Sequence, residues 1–268
     1  MAAREEPEER MERGLIFDCD GVLADTELHG HLVAFNQMWK KLGVRWEWSP
    51  EQYAEKLKIG GGKERMASLF LDQDFHQVFA VPESEEDRKA LITRWHKEKT
   101  AFYQQIISSG AIPPRSGIKR IAEAALAAGW KLAVASTSAK PSVEAVLTHV
   151  VGESTAKRFA VLAGDVVAAK KPAPDIYLLA IKRLGIAPEN CVAIEDSRNG
   201  LLSAVSAGIQ VLVTTSWFTE GENFSEARLV VSALGDPGGE QSCVRENRIG
   251  RPVGEYVKLE DLAAVLVV

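Results

Sequence analysis

The chain has 268 residues, of which 46% are hydrophobic and 26% charged, with a formal net charge of −5. That length allows one or two domains with a sizeable core, and the acidic balance argues against a nucleic-acid partner. No apolar run approaches a membrane span. Three cysteines cannot all pair, and Cys19 and Cys191 lie in apolar runs, as small buried residues of a reducing compartment do.

Residues 1–13 are dense in Glu and Arg. They lack the apolar stretch of a signal peptide and are too acidic for a transit peptide, so a disordered tail is expected. The short apolar run Leu15-Ile16-Phe17 then reads as a buried strand that ends in Asp18, Asp20 and Gly21. In open α/β sheets, ligands bind at the carboxyl ends of the strands. Two carboxylates so close repel each other unless a cation lies between them. Taken alone, the same residues also suit an ordinary turn.

Leu32, Phe35, Trp39 and Leu42 follow at helical spacing, closed by Lys40, Lys41 and Gly43. A second helix is expected to start with Ser49 as N-cap and Pro50 in the first turn. Gly60-Gly61-Gly62 breaks the pattern before a helix bearing Lys63 and Arg65. Helix continues from about Glu83 to Ser109, with Leu91, Trp95, Phe102 and Ile106 as the expected inner face. No strand signal occurs between Gly30 and Ala111, and the Pro113–Gly117 cluster resembles a hinge.

Helix and strand then alternate. Helices are predicted at Ile118–Ala128, Ser142–Val150, Asp175–Leu184 and Leu201–Ala207. Strands are predicted at Lys131–Ala135, Phe159–Leu162, Cys191–Ile194 and Gln210–Val213. Such alternation predicts right-handed βαβ units in a Rossmann-like parallel α/β sheet. The expected core comprises 14–29 and 116–268, interrupted by a helical cap over 30–115 that can act as a lid. Residues 232–256, rich in Gly and polar residues, read as a long surface loop without an assignable role.

The strand ends carry the chemistry: Asp18 and Asp20; Ser136 and Thr137; Glu195 and Asp196; and Lys171 from a proline-stiffened loop. Each has a bland reading as a cap, a turn or a solvated lysine, but these would have to coincide at four places. Together they suggest phosphoryl transfer to a carboxylate. Asp18 is the expected nucleophile. Mg²⁺ suits the hard oxygens of Asp18, Asp196, the Asp20 carbonyl and Glu195, the last directly or through water. Lys171 would neutralise charge, and Ser136 with the Thr137 N–H would hold phosphoryl oxygens. Asp20 would move protons, which requires a raised pKa, and Asp18 pushes in that direction.

These motifs, in this order, resemble the haloacid dehalogenase-like phosphatase superfamily, and the insert resembles its small helical cap. A narrower likeness, to the CbbY family, rests on Asp25-Thr26-Glu27, Gly30-His31, Ala34-Phe35-Asn36 and above all Leu57 to Met66. Gly164-Asp165-Val166-Val167 and Lys170-Lys171-Pro172 fit its plant and algal branch. The resemblance implies a phosphatase for xylulose 1,5-bisphosphate, a Rubisco-inhibiting misfire product, acting as a monomer in the chloroplast stroma. A bisphosphate needs a second anion site. Gly61 and Gly62 allow close backbone approach, and Lys63, with Arg65 beside it, supplies positive charge. Arg65 could equally be a solvated helix residue. Glu27 and His31 could bind sugar hydroxyls, or His31 could be a satisfied histidine under the lid. Many relatives carry Leu-His-Arg where this chain has Leu28-His29-Gly30-His31, and this offset leaves His29 and His31 both open. The rivals are a sugar-phosphate mutase such as β-phosphoglucomutase and a phospho-accepting signalling module. A metal-free dehalogenase would not need the second aspartate.

Overall fold

The protein is described here by a computed structural model covering residues 12–267. The expected disorder of the tail concerns mainly residues 1–11, which lie outside the described residues. Glu12 and Arg13 are attached to the core. The Arg13 carbonyl accepts from Lys131 N–H at 2.9 Å, and Glu12 pairs with the Lys131 ammonium.

Among the described residues, seven strands form one sheet: β1 (Gly14–Phe17), β2 (Lys131–Ser136), β3 (Phe159–Ala163), β4 (Cys191–Glu195), β5 (Gln210–Thr214), β6 (Leu229–Val231) and β7 (Val244–Asn247). Their spatial order is β3-β2-β1-β4-β5-β6-β7, parallel up to β6, with β7 antiparallel at the edge. β1 is therefore central, flanked by β2 and β4. The motif-bearing ends of these three strands lie side by side at one sheet edge.

The helices are α1 (Leu32–Lys41), α2 (Pro50–Leu57), α3 (Gly62–Ala67), α4 (Gln73–Val78), α5 (Glu85–Ser108), α6 (Ile118–Ala127), α7 (Lys140–Val151), α8 (Glu153–Ala156), α9 (Asp175–Leu184), α10 (Arg198–Ser206) and α11 (Leu259–Val265). α6, α7 and α11 cover one sheet face, while α9 and α10 cover the other. This two-sided cover explains the near-continuous apolar character of the central strands. No helix among the described residues is long and apolar enough to cross a membrane.

Between Gly30 and Ala111 every regular element is helical, as expected. Leu32, Phe35, Trp39, Trp48, Tyr53, Phe75 and Trp95 form a separate apolar cluster there. Ser49 caps α2 through a capping box with Gln52. The cap is not insulated from the core, because Tyr103 and Ile107 at the end of α5 join the core cluster. The strands leading out of and back into the core touch: Asp25 N–H donates to the Pro113 carbonyl and Arg115 N–H to the Leu23 carbonyl.

The inner face of α5 differs from expectation. Its buried stripe is Trp95, Lys99, Tyr103 and Ile107, whereas Leu91, Phe102 and Ile106 are only partly buried. The 232–256 segment also differs from a plain surface loop. It supplies β7 and buries Leu234, and Asp236 binds Ser116, the Gly117 N–H and Arg120.

Candidate active site

Asp18 leaves the end of β1 with its N–H donating to the Ile194 carbonyl at 2.9 Å, which fixes it beside β4. Lys171 Nζ lies 2.6 Å from both Asp18 Oδ1 and Glu195 Oε1. Tyr177 OH donates to the same Glu195 oxygen. Glu195 is wholly buried and holds Lys171 against Asp18. Tight backbone packing frames the cluster. A Cβ at Gly200 would lie 1.9 Å from Glu195 Oε2, and one at Gly21 would lie 2.1 Å from Asp196 Oδ2. Gly21 also has φ +79°, so glycine is required there twice over.

Oxygens of Asp18, Glu195 and Asp196 lie within 4.8 Å of one another, and all three residues are buried. One ammonium cannot balance three carboxylates. Among the described residues, no side-chain or backbone donor reaches the Asp196 carboxylate, and burial, then Asp18 and Glu195, push its pKa well above the ordinary range. Burial also pushes Asp18 up, against the pull of Lys171. An unpartnered buried carboxylate beside two others fits a hard divalent cation such as Mg²⁺. Glu195 is more occupied than its expected ligand role requires, since Lys171 and Tyr177 already share its Oε1.

Asp20 is held differently. Its Oδ1 accepts from Thr26 Oγ1 at 2.7 Å, His31 Nε2 at 3.0 Å and Tyr103 OH at 3.3 Å, while Oδ2 accepts from Ser138 Oγ. Burial raises its pKa, but His31 and the hydroxyl donors outweigh this and hold the carboxyl well below the usual range. The expected raised pKa of Asp20 is therefore not found. Donors on both of its oxygens hold the charged form.

Behind Asp20, Lys99 Nζ approaches His31 Nδ1 at 2.5 Å. Lys99 is only 7% exposed, and its ammonium lies 4.8 Å from the ring centres of both Phe35 and Tyr103. Burial lowers its pKa to about 8, which leaves it charged at neutral pH. An ammonium can only donate, so His31 Nδ1 accepts and Nε2–H faces Asp20. His31 stacks on Tyr103 with centroids 4.0 Å apart.

The same geometry resolves His29 from His31. Glu27–His31 forms a π-turn before α1, which absorbs one extra residue. His31 thereby turns inward, whereas the His29 side chain is 51% exposed and pairs with Asp25. Gly30 is needed in this turn, since a Cβ would lie 2.7 Å from Tyr103 and 2.8 Å from Ile112.

A cavity of about 690 Å³ lies between cap and core. Asp18, Asp20, Glu27, His31, Gly61, Gly62, Lys63, Arg65, Thr137, Lys171 and Asp196 all line it. Ser136 and Glu195 do not. Ser136 is almost fully buried, and its Oγ accepts from the Ser138 N–H at 3.1 Å, so it shapes the turn while Thr137 and Ser138 form the wall. Arg65 is not a solvated residue. Its guanidinium donates to the Ile59 carbonyl and to Tyr53 OH, and Tyr53 donates to Glu27 at 2.6 Å. Lys63 is exposed to the cavity. Lys170 pairs with Glu64 of the cap at 3.3 Å and also lines the cavity. Sequence reasoning missed Thr26, Ser138, Lys99, Tyr103, Tyr53 and Tyr177. The one available signal was a lysine four residues after Trp95, on the buried face.

The haloacid dehalogenase-like hydrolase family matches residues 12–208. The chain belongs to that family. It is an enzyme, a hydrolase, and its likeness is to CbbY proteins. A CBBY-like protein of Arabidopsis thaliana is 42% identical over 223 residues, covering 83% of this chain and 69% of that one. A crystal structure of an aspartate-to-asparagine variant of CbbY from Rhodobacter sphaeroides, in complex with xylulose 1,5-bisphosphate, matches with a TM-score of 0.74 and 38% identity. That match covers 83% of this chain and 95% of the other. A β-phosphoglucomutase from Clostridium difficile matches with a TM-score of 0.64 and 26% identity, covering 83% and 92%.

Proposed function

We propose that this chain is a Mg²⁺-dependent sugar-bisphosphate phosphatase and that xylulose 1,5-bisphosphate is its substrate. The observation that carries this reading is the shared cavity. It holds the Asp18–Lys171–Asp196 cluster and the separate cation Lys63 on the cap, as two phosphate groups require. The Rhodobacter sphaeroides complex supports the choice of sugar.

In this reading an Asp18 oxygen attacks phosphorus and the bond from phosphorus to the sugar oxygen breaks, leaving an aspartyl phosphate and a sugar oxygen that takes a proton. Water then attacks the same phosphorus, the bond to Asp18 breaks, and orthophosphate leaves. Mg²⁺, held by Asp18, Asp196 and the Asp20 carbonyl with Glu195 alongside, would neutralise phosphoryl charge. Lys171 adds a fixed positive charge, and Thr137 and Ser138 face the remaining phosphoryl oxygens. Asp20 serves both proton transfers, with its four donors keeping it as a carboxylate between them. As His31 Nε2–H passes its proton to Asp20, Nδ1 takes one from the Lys99 ammonium, so Asp20 can protonate the sugar oxygen; it then takes the proton of the attacking water, which returns along the same path to Lys99. Glu27, fixed by Tyr53 and Arg65, offers its other oxygen to a sugar hydroxyl. Lys63 and the Gly61-Gly62 backbone meet the distal phosphate. A plant relative, the CBBY-like protein of Arabidopsis thaliana, agrees with a place in the chloroplast stroma, where the reaction would remove a Rubisco inhibitor.

The β-phosphoglucomutase likeness keeps a mutase as the second reading. Phosphate release from xylulose 1,5-bisphosphate, measured beside isomerisation of β-glucose 1-phosphate, separates the two. Isomerisation without free phosphate overturns the phosphatase.

A further inference from the structure

We propose that Phe218, on the core loop after β5, is a positioning residue: it docks the cap on the core and holds Tyr53 so that Glu27 faces the sugar. Its use in catalysis rests on the phosphatase reading above, whereas the docking does not.

The apolar cluster of the cap draws on the core at one point. Every other side chain in it or packed against it lies between Leu28 and Phe102, and among the described residues Phe218 alone reaches it from the core. Phe218 lies nearly perpendicular to the Tyr53 ring, at 79° with centroids 5.8 Å apart. Such an edge-to-face pair is directional, so it fixes the angle of the ring as well as its place. Tyr53 is wholly buried, while Phe218 is partly buried and lines the cavity.

Tyr53 carries that position to the sugar site. Its hydroxyl donates to Glu27 at 2.6 Å and accepts from the Arg65 guanidinium at 2.9 Å. The helix that bears it, α2, has eight residues, and Tyr53 is the one buried among them. A helix so short gains little stability of its own. What packs on Tyr53 therefore sets where α2 sits and where the Glu27 carboxylate points.

The loop is built to hold Phe218 still. Ser216 N–H donates to Thr219 Oγ1 at 2.9 Å, and Thr219 N–H returns to the Ser216 carbonyl at 3.1 Å. Arg198 opens α10, two residues after Asp196. Its N–H donates to Glu222 at 2.5 Å, and its guanidinium donates to the Asn223 carbonyl at 2.9 Å and to Glu226 at 2.8 Å. Phe224, six residues after Phe218, is buried in the core cluster beside α9 and α10. One loop thus places a phenylalanine in each of the two apolar clusters, and it is tied to the turn that carries Asp196.

The test is a double-mutant cycle of Phe218→Ala and Tyr53→Phe. Losing the aromatic pair should lower kcat/KM for xylulose 1,5-bisphosphate about tenfold in Phe218→Ala. Phe218→Tyr, which keeps the ring, should stay within about twofold of the parent. Tyr53→Phe should also lose about tenfold, because its hydroxyl serves a charged partner. Since both act through Glu27, the double variant should lose about tenfold and not about a hundredfold. Without substrate, amide hydrogen exchange at Tyr53 should quicken about tenfold in Phe218→Ala, with β1 unchanged. Phe218→Leu keeps apolar bulk, should show the same pattern at smaller size, and replaces Phe218→Ala if that variant folds poorly. An unchanged kcat/KM, full multiplication in the double variant, or unmoved exchange at Tyr53 overturns the proposal. Failure of the phosphatase reading shows separately: the unsubstituted protein would then release no phosphate from the bisphosphate, while exchange at Tyr53 still responds to Phe218.

Discussion

Replacing Lys171 with Met removes the one cation that, among the described residues, pairs with the cluster of three buried carboxylates. Lys171 Nζ touches Asp18 and Glu195 at 2.6 Å each. At an effective dielectric constant of about 20, one such contact attracts by roughly 6 kcal/mol before desolvation is subtracted. Removing one partner of a buried pair costs about 3–5 kcal/mol net, because the other charge stays buried without compensation. Lys171→Met should therefore lose about that much stability in urea unfolding without divalent ions. Met is close in length to the Lys stem, so lost packing is a minor part. A divalent cation should then recover part of the loss, about 2.7 kcal/mol when present at a hundred times its Kd. The recovery should exceed the stabilisation that the same ion gives the unsubstituted chain. A variant as stable as the parent, or one indifferent to Mg²⁺, refutes the charge balance drawn for this cluster.

Lys99→Met should lower kcat, measured on the bisphosphate, because Lys99 orients His31. The same variant checks a pH effect. Folded Lys99 has a pKa near 8 against 10.5 for the free group, so between these values the unfolded chain binds more protons and stability rises with pH. Thermal melts of Lys99→Met should lack that rise. Gly30→Ala crowds Tyr103 and Ile112 and should cost about 1–3 kcal/mol by urea unfolding, with a fall in kcat as His31 shifts. An unchanged kcat in Gly30→Ala would detach the π-turn from catalysis.

The parallel core was legible because its strands are short apolar runs that stop at polar residues. The runs ending at Phe17, Ser136 and Glu195 became adjacent strands, and that adjacency assembles the site. The start of α2 was legible from Ser49 and Pro50, a local signal with a local cause. What failed to show depended on distant partners. Lys99 looks like a surface residue by type, and only its place between His31, Phe35 and Tyr103 makes it buried. β7, with sequence Val-Arg-Glu-Asn, is an exposed edge strand whose pairing comes from β6 and not from its own pattern. The choice of His31 over His29 depended on a π-turn, which residue spacing read as α-helix cannot reveal. The low pKa of Asp20 depended on partners from separate segments, first His31 and then the hydroxyls of Ser138 and Thr26.

The central claim is that Asp18 attacks the phosphoryl group of a sugar bisphosphate. The most direct measurement is orthophosphate release from a panel of sugar mono- and bisphosphates with Mg²⁺, run in parallel on the unsubstituted chain and on Asp18→Asn. Release should be fastest from xylulose 1,5-bisphosphate and should vanish in Asp18→Asn. Release that survives Asp18→Asn, or a panel in which no sugar bisphosphate is hydrolysed, contradicts it.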